Sequence, residues 1–162
     1  MPHTVRMVPG LWIALLLILP PPPEAIWIWP TEGDQRILRD FKAPSSPWGP
    51  GHRGLDLQAA GSAVRAPIDA QVSFSGMVAD RGVVTLRTGD GILISMEPVE
   101  PLVEVGDQVS AGDLIAEVLP GHCAQLCLHL GLREDGEYRS ARRELGILQR
   151  SVVLPLGDYA RG

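Results

Sequence analysis

From Arg53 onward, apolar and polar residues alternate in short runs divided by glycine, proline and aspartate. Successive side chains on a strand point to opposite faces, so a period of two marks a strand with one face on a core. Runs of this kind cover Arg53 to Leu57, Ala63 to Ala66, Ala70 to Gly76, Gly82 to Arg87 and Gly91 to Met96. They resume at Gln108 to Ser110, Leu114 to Leu119 and Leu126 to Arg133. Gly89-Asp90-Gly91 reads as the turn of a hairpin. Upstream, Ile26 to Pro30 and Arg36 to Phe41 read as two further strands, and Ala43 to Gly51, with Trp48 in it, as a loop. Downstream, Ser140 to Leu148 reads as a short helix and Ser151 to Leu156 as a last strand. Strands this short and closely spaced predict an all-β domain of sandwich or barrel-like form.

The N-terminus breaks this pattern. Arg6 precedes the apolar run Leu11 to Leu19, which ends at the prolines Pro20 to Pro23. A basic start, a short apolar stretch and a helix-breaking end describe an export segment. The run falls well below the ~20 apolar residues of a membrane-spanning helix. Residues 1–25 are therefore read as a signal peptide or N-terminal anchor with a Pro-rich linker, and 26–162 as one domain. Export places that domain in the cell envelope or outside the cell, held to the membrane only if the segment stays uncleaved. The formal net charge of −5, with both signs interspersed, leaves no basic stripe for nucleic acid.

Two of the alternating runs carry groups with chemistry. In Gly51-His52-Arg53-Gly54-Leu55-Asp56-Leu57, strand geometry puts His52, Gly54 and Asp56 on one face and the leucines on the other. The glycine leaves room between an imidazole and a carboxylate. In Cys127-Leu128-His129-Leu130-Gly131-Leu132-Arg133 the leucines form a core face, opposite Cys127, His129, Gly131 and Arg133. Alone, His52 reads equally well as a surface histidine beside a solvated Asp56, and a lone His129 is more often a structural or surface residue than a ligand. Together His52, Asp56 and His129 form a candidate three-ligand zinc set, the number used where water takes a fourth position.

These stretches resemble the lysostaphin/LytM-type zinc metallopeptidases. HRGLDL followed by AAGSAVRAPIDAQVSFSG is similar to the family's H-x-x-x-D motif and the hairpin after it. EVGDQVSAGDLIAEV is similar to its second hairpin, and CLHLGLR falls where the family has H-x-H. The resemblance spans about residues 27 to 133. It implies a compact, mostly antiparallel β-fold with a groove over a zinc ion, and an endopeptidase acting on the peptides of bacterial peptidoglycan. Carried over by position, His52, Asp56 and His129 match the zinc ligands.

The pattern is incomplete. The first histidine of H-x-H is Cys127 here, and the family's other assisting histidine falls at Pro98, within Ser95-Met96-Glu97-Pro98-Val99. Glu97 is the nearest candidate proton carrier, expected to point to the opposite face unless Pro98 distorts the strand. Cys127 is a second catalytic candidate by position alone. A positioned acid–base group contributes about 10²–10⁴-fold in rate, so the losses leave a second reading open: a degenerate module that binds wall peptides or activates a partner hydrolase. A biotinyl- or lipoyl-carrier reading of the VGDQVSAGD hairpin fails because Lys42, the only lysine, is not at its tip.

The two cysteines, Cys123 and Cys127, read as a disulfide, as free thiols, or with His122 and His129 as a Cys/His metal cluster. Export favours the disulfide. Arg133 is a candidate for a substrate carboxylate, against the plainer reading of a solvated arginine, and Trp48 a candidate for lining the groove.

Overall fold

A computed structural model of the chain describes residues 27–46 and 49–147. The export segment, Trp48 and the strand expected at Ser151 to Leu156 lie outside the described residues. Eleven strands run in chain order: β1 (Ile37–Arg39), β2 (Gly54–Gln58), β3 (Ala63–Arg65), β4 (Ala70–Val78), β5 (Arg81–Arg87), β6 (Leu93–Glu97), β7 (Val99–Pro101), β8 (Gln108–Val109), β9 (Leu114–Val118), β10 (Cys127–Glu134) and β11 (Glu137–Arg139). Eight form one sheet, ordered β1-β2-β10-β6-β5-β4-β8 with β11 on β10; β3, β9 and β7 form a second. The pairings are antiparallel.

The expected leucine face is the core. Leu55 and Leu57 of β2, Leu128, Leu130 and Leu132 of β10, and Ile94 and Met96 of β6 are buried in one cluster with Val64, Val99, Ile115 and Val118 of the smaller sheet. The apolar faces of both sheets are thus removed from water together, at about 25 cal/mol per Å². The Gly89-Asp90-Gly91 turn forms as expected: Thr88 N donates to Ile92 O at 3.0 Å and Gly91 adopts φ 91°. In β4 a bulge between Val72 and Phe74 breaks the alternation, as an extra residue in one strand must. Val72 is buried while Phe74 is exposed beside Thr85.

Three local expectations are corrected. Trp27 to Trp29 is not a strand; Trp27 N donates to Glu144 O at 2.7 Å and Ile28 N to Pro67 O at 2.8 Å, partners on two different segments. Pro30 has no N–H to continue a ladder, and only Thr31 bridges to Val64. The segment expected to be helical from Ser140 is a run of turns over 141–146, and no helix occurs among the described residues. Its bonds mix Leu145 N to Ala141 O with Gly146 N to Arg143 O and Ile147 N to Arg142 O, and Gly146 takes φ 72°, which ends the turn. β7 and β11 have no counterpart in the expected pattern. At three residues each, they are too short to show a period.

One close backbone approach supplies a direct check. A Cβ added at Gly82 would lie 1.9 Å from the carbonyl oxygen of Val99, whereas one added at Gly89 meets nothing within 4 Å. Gly82→Ala should therefore lower stability by about 1–3 kcal/mol, the usual range for forced overpacking. Gly89→Ala should stay within about 0.5 kcal/mol of the parent. Urea unfolding of the two variants checks this, and equal midpoints would contradict the packing of β5 against β7.

Candidate metal centre

β2 and β10 lie side by side in the register His129 opposite Asp56 and Gly131 opposite Gly54. Directly opposed residues share a face, so the carboxylate and the imidazole project together from the side away from the leucines. His52 stands just before β2, where its backbone exchanges two 2.9 Å hydrogen bonds with Lys42. Gly54 is required by what lies over it: an added Cβ would sit 2.4 Å from Leu130 O and 2.6 Å from His129 Nε2. The room foreseen between His52 and Asp56 is filled by the His129 ring.

Three imidazoles converge on one oxygen. Asp56 Oδ1 lies 3.0 Å from His52 Nε2, 2.8 Å from His129 Nδ1 and 2.9 Å from His122 Nε2. The rings of His52 and His122 meet that of His129 edge-on, at centroid distances of 4.9 and 5.1 Å. His52 and Asp56 are buried. Burial pushes the Asp56 carboxyl up, but hydrogen bonds from His129 and His122 and the charge of His52 and His122 outweigh it. The net effect lowers its pKa from 3.8 to about 2.

This arrangement suits a cation. His52 Nδ1 lies 2.8 Å from the carbonyl oxygen of Asp40. A carbonyl only accepts, so Nδ1 carries the hydrogen, and in the neutral ring Nε2 is a bare lone pair. With the ring protonated, Nε2–H donates to Asp56; in the neutral ring the same nitrogen and the carboxylate both offer lone pairs to a cation. Orientation of a ligating imidazole by a carbonyl on its other nitrogen is the usual support for such a site. Asp40 is itself anchored, since Arg142 Nη1 donates to its Oδ2 at 3.1 Å. The four donor atoms of His52, Asp56, His122 and His129 lie within 4.8 Å of one another.

His122 joins the three residues singled out from sequence. From sequence alone His122 groups with the cysteines and His129, not with Asp56. Its signal was nonetheless present: Cys127 shares the His129 face, so a bridge to Cys123 draws residue 122 to that face. The structure forms that disulfide. Cys127 therefore has no thiol proton to take or give, which removes it as an acid–base candidate. It also removes the mixed Cys/His cluster.

Glu97 is the second correction. It stands directly opposite His129 across β6 and β10, so it shares the site face; the expectation that it would point away ignored cross-strand register. Its carboxylate accepts from Arg81 Nη1 at 3.1 Å. Pro98, by contrast, is buried. Arg133 lies on the site face, but its Nε donates to Gly136 O at 3.0 Å and its guanidinium lies 5.8 Å from the centroid of the Tyr138 ring. Arg53 approaches the same ring at 5.6 Å.

A groove leads away from His129. Its floor is a cross-strand row of small side chains, Gly131, Ser95 and Thr85, each opposite the next. Thr85 Oγ1 and Ser95 Oγ are 3.0 Å apart. Phe74, Val78 and Tyr138 border it, all exposed, with Val83 buried at its side.

The profile of Peptidase family M23 matches residues 50–141, which contain His52, Asp56, His122 and His129. An uncharacterized protein of Mycobacterium bovis and one of Mycobacterium tuberculosis are each 43% identical over 107 residues. The match covers 64% of this chain and 43% of each relative, so the chain spans less than half the length of these curated relatives. Among solved structures, the catalytic domain of the antimicrobial peptidase lysostaphin from Staphylococcus simulans superposes with a TM-score of 0.58 at 19% identity, over 69% of this chain and 92% of that one. Csd3 of Helicobacter pylori gives 0.58 at 20% identity, over 71% and 33%. A zinc-containing peptidase from Vibrio cholerae gives 0.54 at 19%, over 67% and 37%. At these identities the superpositions speak for the all-β fold; with the profile match across more than half of the sequence, the chain belongs to peptidase family M23.

Proposed function

We propose that this protein is an exported zinc peptidase acting on the peptides of bacterial peptidoglycan. The observation that carries the reading is the convergence of His52 Nε2, His122 Nε2 and His129 Nδ1 on Asp56 Oδ1, with His52 Nδ1 held by the Asp40 carbonyl. His52, Asp56 and His129 would hold the ion. When bound, zinc supplies Lewis acidity toward a peptide carbonyl and a water acidic enough to ionise near neutral pH. The small-residue floor from Gly131 to Thr85 accepts an extended peptide whose side chains near the cut are small. Phe74, Val78 and Tyr138 supply apolar contact along its edges. Membership of the family and likeness to lysostaphin, an antimicrobial peptidase, support the wall peptides as substrate. The disulfide supports export, since such bonds persist in oxidising compartments.

A second reading has its own observation. The positions where the family places assisting histidines hold Pro98 and a disulfide-bonded Cys127, and Glu97 is engaged by Arg81. A chain so altered would serve as a wall-peptide binding module or as an activator of a partner hydrolase, with the metal holding the site together.

The two readings separate experimentally. Purified protein should carry about one zinc per chain, by the three-ligand rule for such sites. His129→Ala should lose it while keeping the thermal transition of the core. Zinc-loaded protein incubated with peptidoglycan should release new free amino groups, and His129→Ala should not. Zinc without release favours the binding module; a folded parent that takes up no zinc contradicts both.

The metal-free state has its own signature. A carboxyl whose folded pKa is lowered from 3.8 to about 2 contributes stability that is present above its unfolded value. The contribution is lost as pH falls through that interval, and amounts to about 2 kcal/mol. Chelated protein should therefore weaken between pH 5 and pH 2.5 more than Asp56→Asn does, read as the difference in urea midpoints. Identical losses in the two proteins would contradict the charge arrangement around Asp56.

A further inference from the structure

His122 reaches the cluster by a different route from the other three. His52, Asp56 and His129 stand on or beside paired strands, whereas His122 lies in the irregular stretch between β9 and β10. Backbone hydrogen bonds anchor the ends of that stretch, Leu119 N to Pro98 O and Ala59 N to Leu126 O. Within it, Pro120 and Gly121 (φ 118°) turn the chain, and no atom beyond the adjoining residues lies within 4 Å of where a Gly121 side chain would start. Local packing at this glycine does little to hold the next residue in place. The covalent link does more. Cys127 opens β10, is buried, and shares a face with His129 two residues on. Its bond to Cys123 draws the stretch back over that face. The adjoining His122 then places Nε2 2.9 Å from Asp56 Oδ1, on the same oxygen and at the same range as the other two imidazoles.

Building on the metal-site reading above, we infer that His122 is a fourth protein ligand in this centre and that the Cys123–Cys127 disulfide holds it there, so that metal affinity depends on the disulfide. Three imidazoles and a carboxylate satisfy the four-coordinate preference of zinc, and zinc in catalytic sites expands to a fifth partner. A fourth ligand on a loop is therefore compatible with the peptidase reading. Ordering a loop residue costs conformational entropy. The disulfide has already ordered it in the folded protein, which is the preorganisation that raises affinity. Linkage is reciprocal: bound metal should protect the disulfide as much as the disulfide favours the metal.

Zinc affinity is measured by competition with a chromophoric chelator in four full-length proteins: the parent, His122→Ala, the double variant Cys123→Ser/Cys127→Ser, and the triple variant. Serine is used in place of chemical reduction because free thiolates are zinc ligands themselves. His122→Ala and the double serine variant should each bind about 10–100-fold more weakly, the range for loss of a supporting group. The triple variant should be no weaker than His122→Ala, because the disulfide acts through that side chain. A second reading needs no substitution: the ring nitrogen resonances of His122 in the parent should shift on addition of zinc. A serine variant that binds like the parent, a triple variant that loses both effects in full, or unmoved His122 resonances would overturn the inference. Zinc bound in the parent but indifferent to these changes would leave the three-residue site standing. A folded parent that binds no zinc would overturn that site as well.

Discussion

Everything at the candidate metal centre rests on the register between β2 and β10. With His129 opposite Asp56, the carboxylate and the imidazole leave the sheet on the same side, while Leu55, Leu57, Leu128 and Leu130 enter the core on the other. A slip of one residue would turn every side chain of a strand over, burying a histidine and a carboxylate and exposing the leucines. The core therefore enforces the site. Gly54 completes the arrangement, since any side chain there would occupy the space of the His129 ring. The same register continues into β6 and β5 and lays the small-residue row that floors the groove.

The second constraint is the polarity of hydrogen bonds. A backbone carbonyl at His52 Nδ1 fixes which nitrogen keeps its hydrogen and which offers a lone pair. In the neutral ring this leaves Nε2 as the nitrogen offered to a cation, beside the Asp56 carboxylate. The convergence of three imidazoles and a carboxylate within 4.8 Å is why the cluster reads as a candidate cation site, in keeping with peptidase family M23.

Much of this was legible in the chain because it depends on a period of two. Strict leucine alternation in CLHLGLR and the Leu55/Leu57 pair assigned the faces, and with them the common side of His52, Asp56 and His129. What escaped the sequence depends on contacts between distant segments. Glu97 was assigned a face from its own strand, yet its position opposite His129 follows from pairing with β10. Trp27 to Trp29 has strand-forming residues but hydrogen-bonds to two separate segments, one at Glu144 and one at Pro67. Ser140 to Ile147 has no apolar period strong enough to distinguish a helix from a chain of turns. His122 sits in a stretch with no pattern at all, and only the covalent bridge beside it locates it.

On this geometry a metal ion would meet imidazole nitrogen and carboxylate oxygen, and no sulfur. X-ray absorption spectroscopy of the zinc-loaded protein tests it directly. Nitrogen and oxygen neighbours are expected at about 2.0–2.2 Å, with the outer-shell scattering of imidazole rings. A neighbour at about 2.3 Å, the zinc–sulfur distance, or the absence of imidazole scattering, would contradict it.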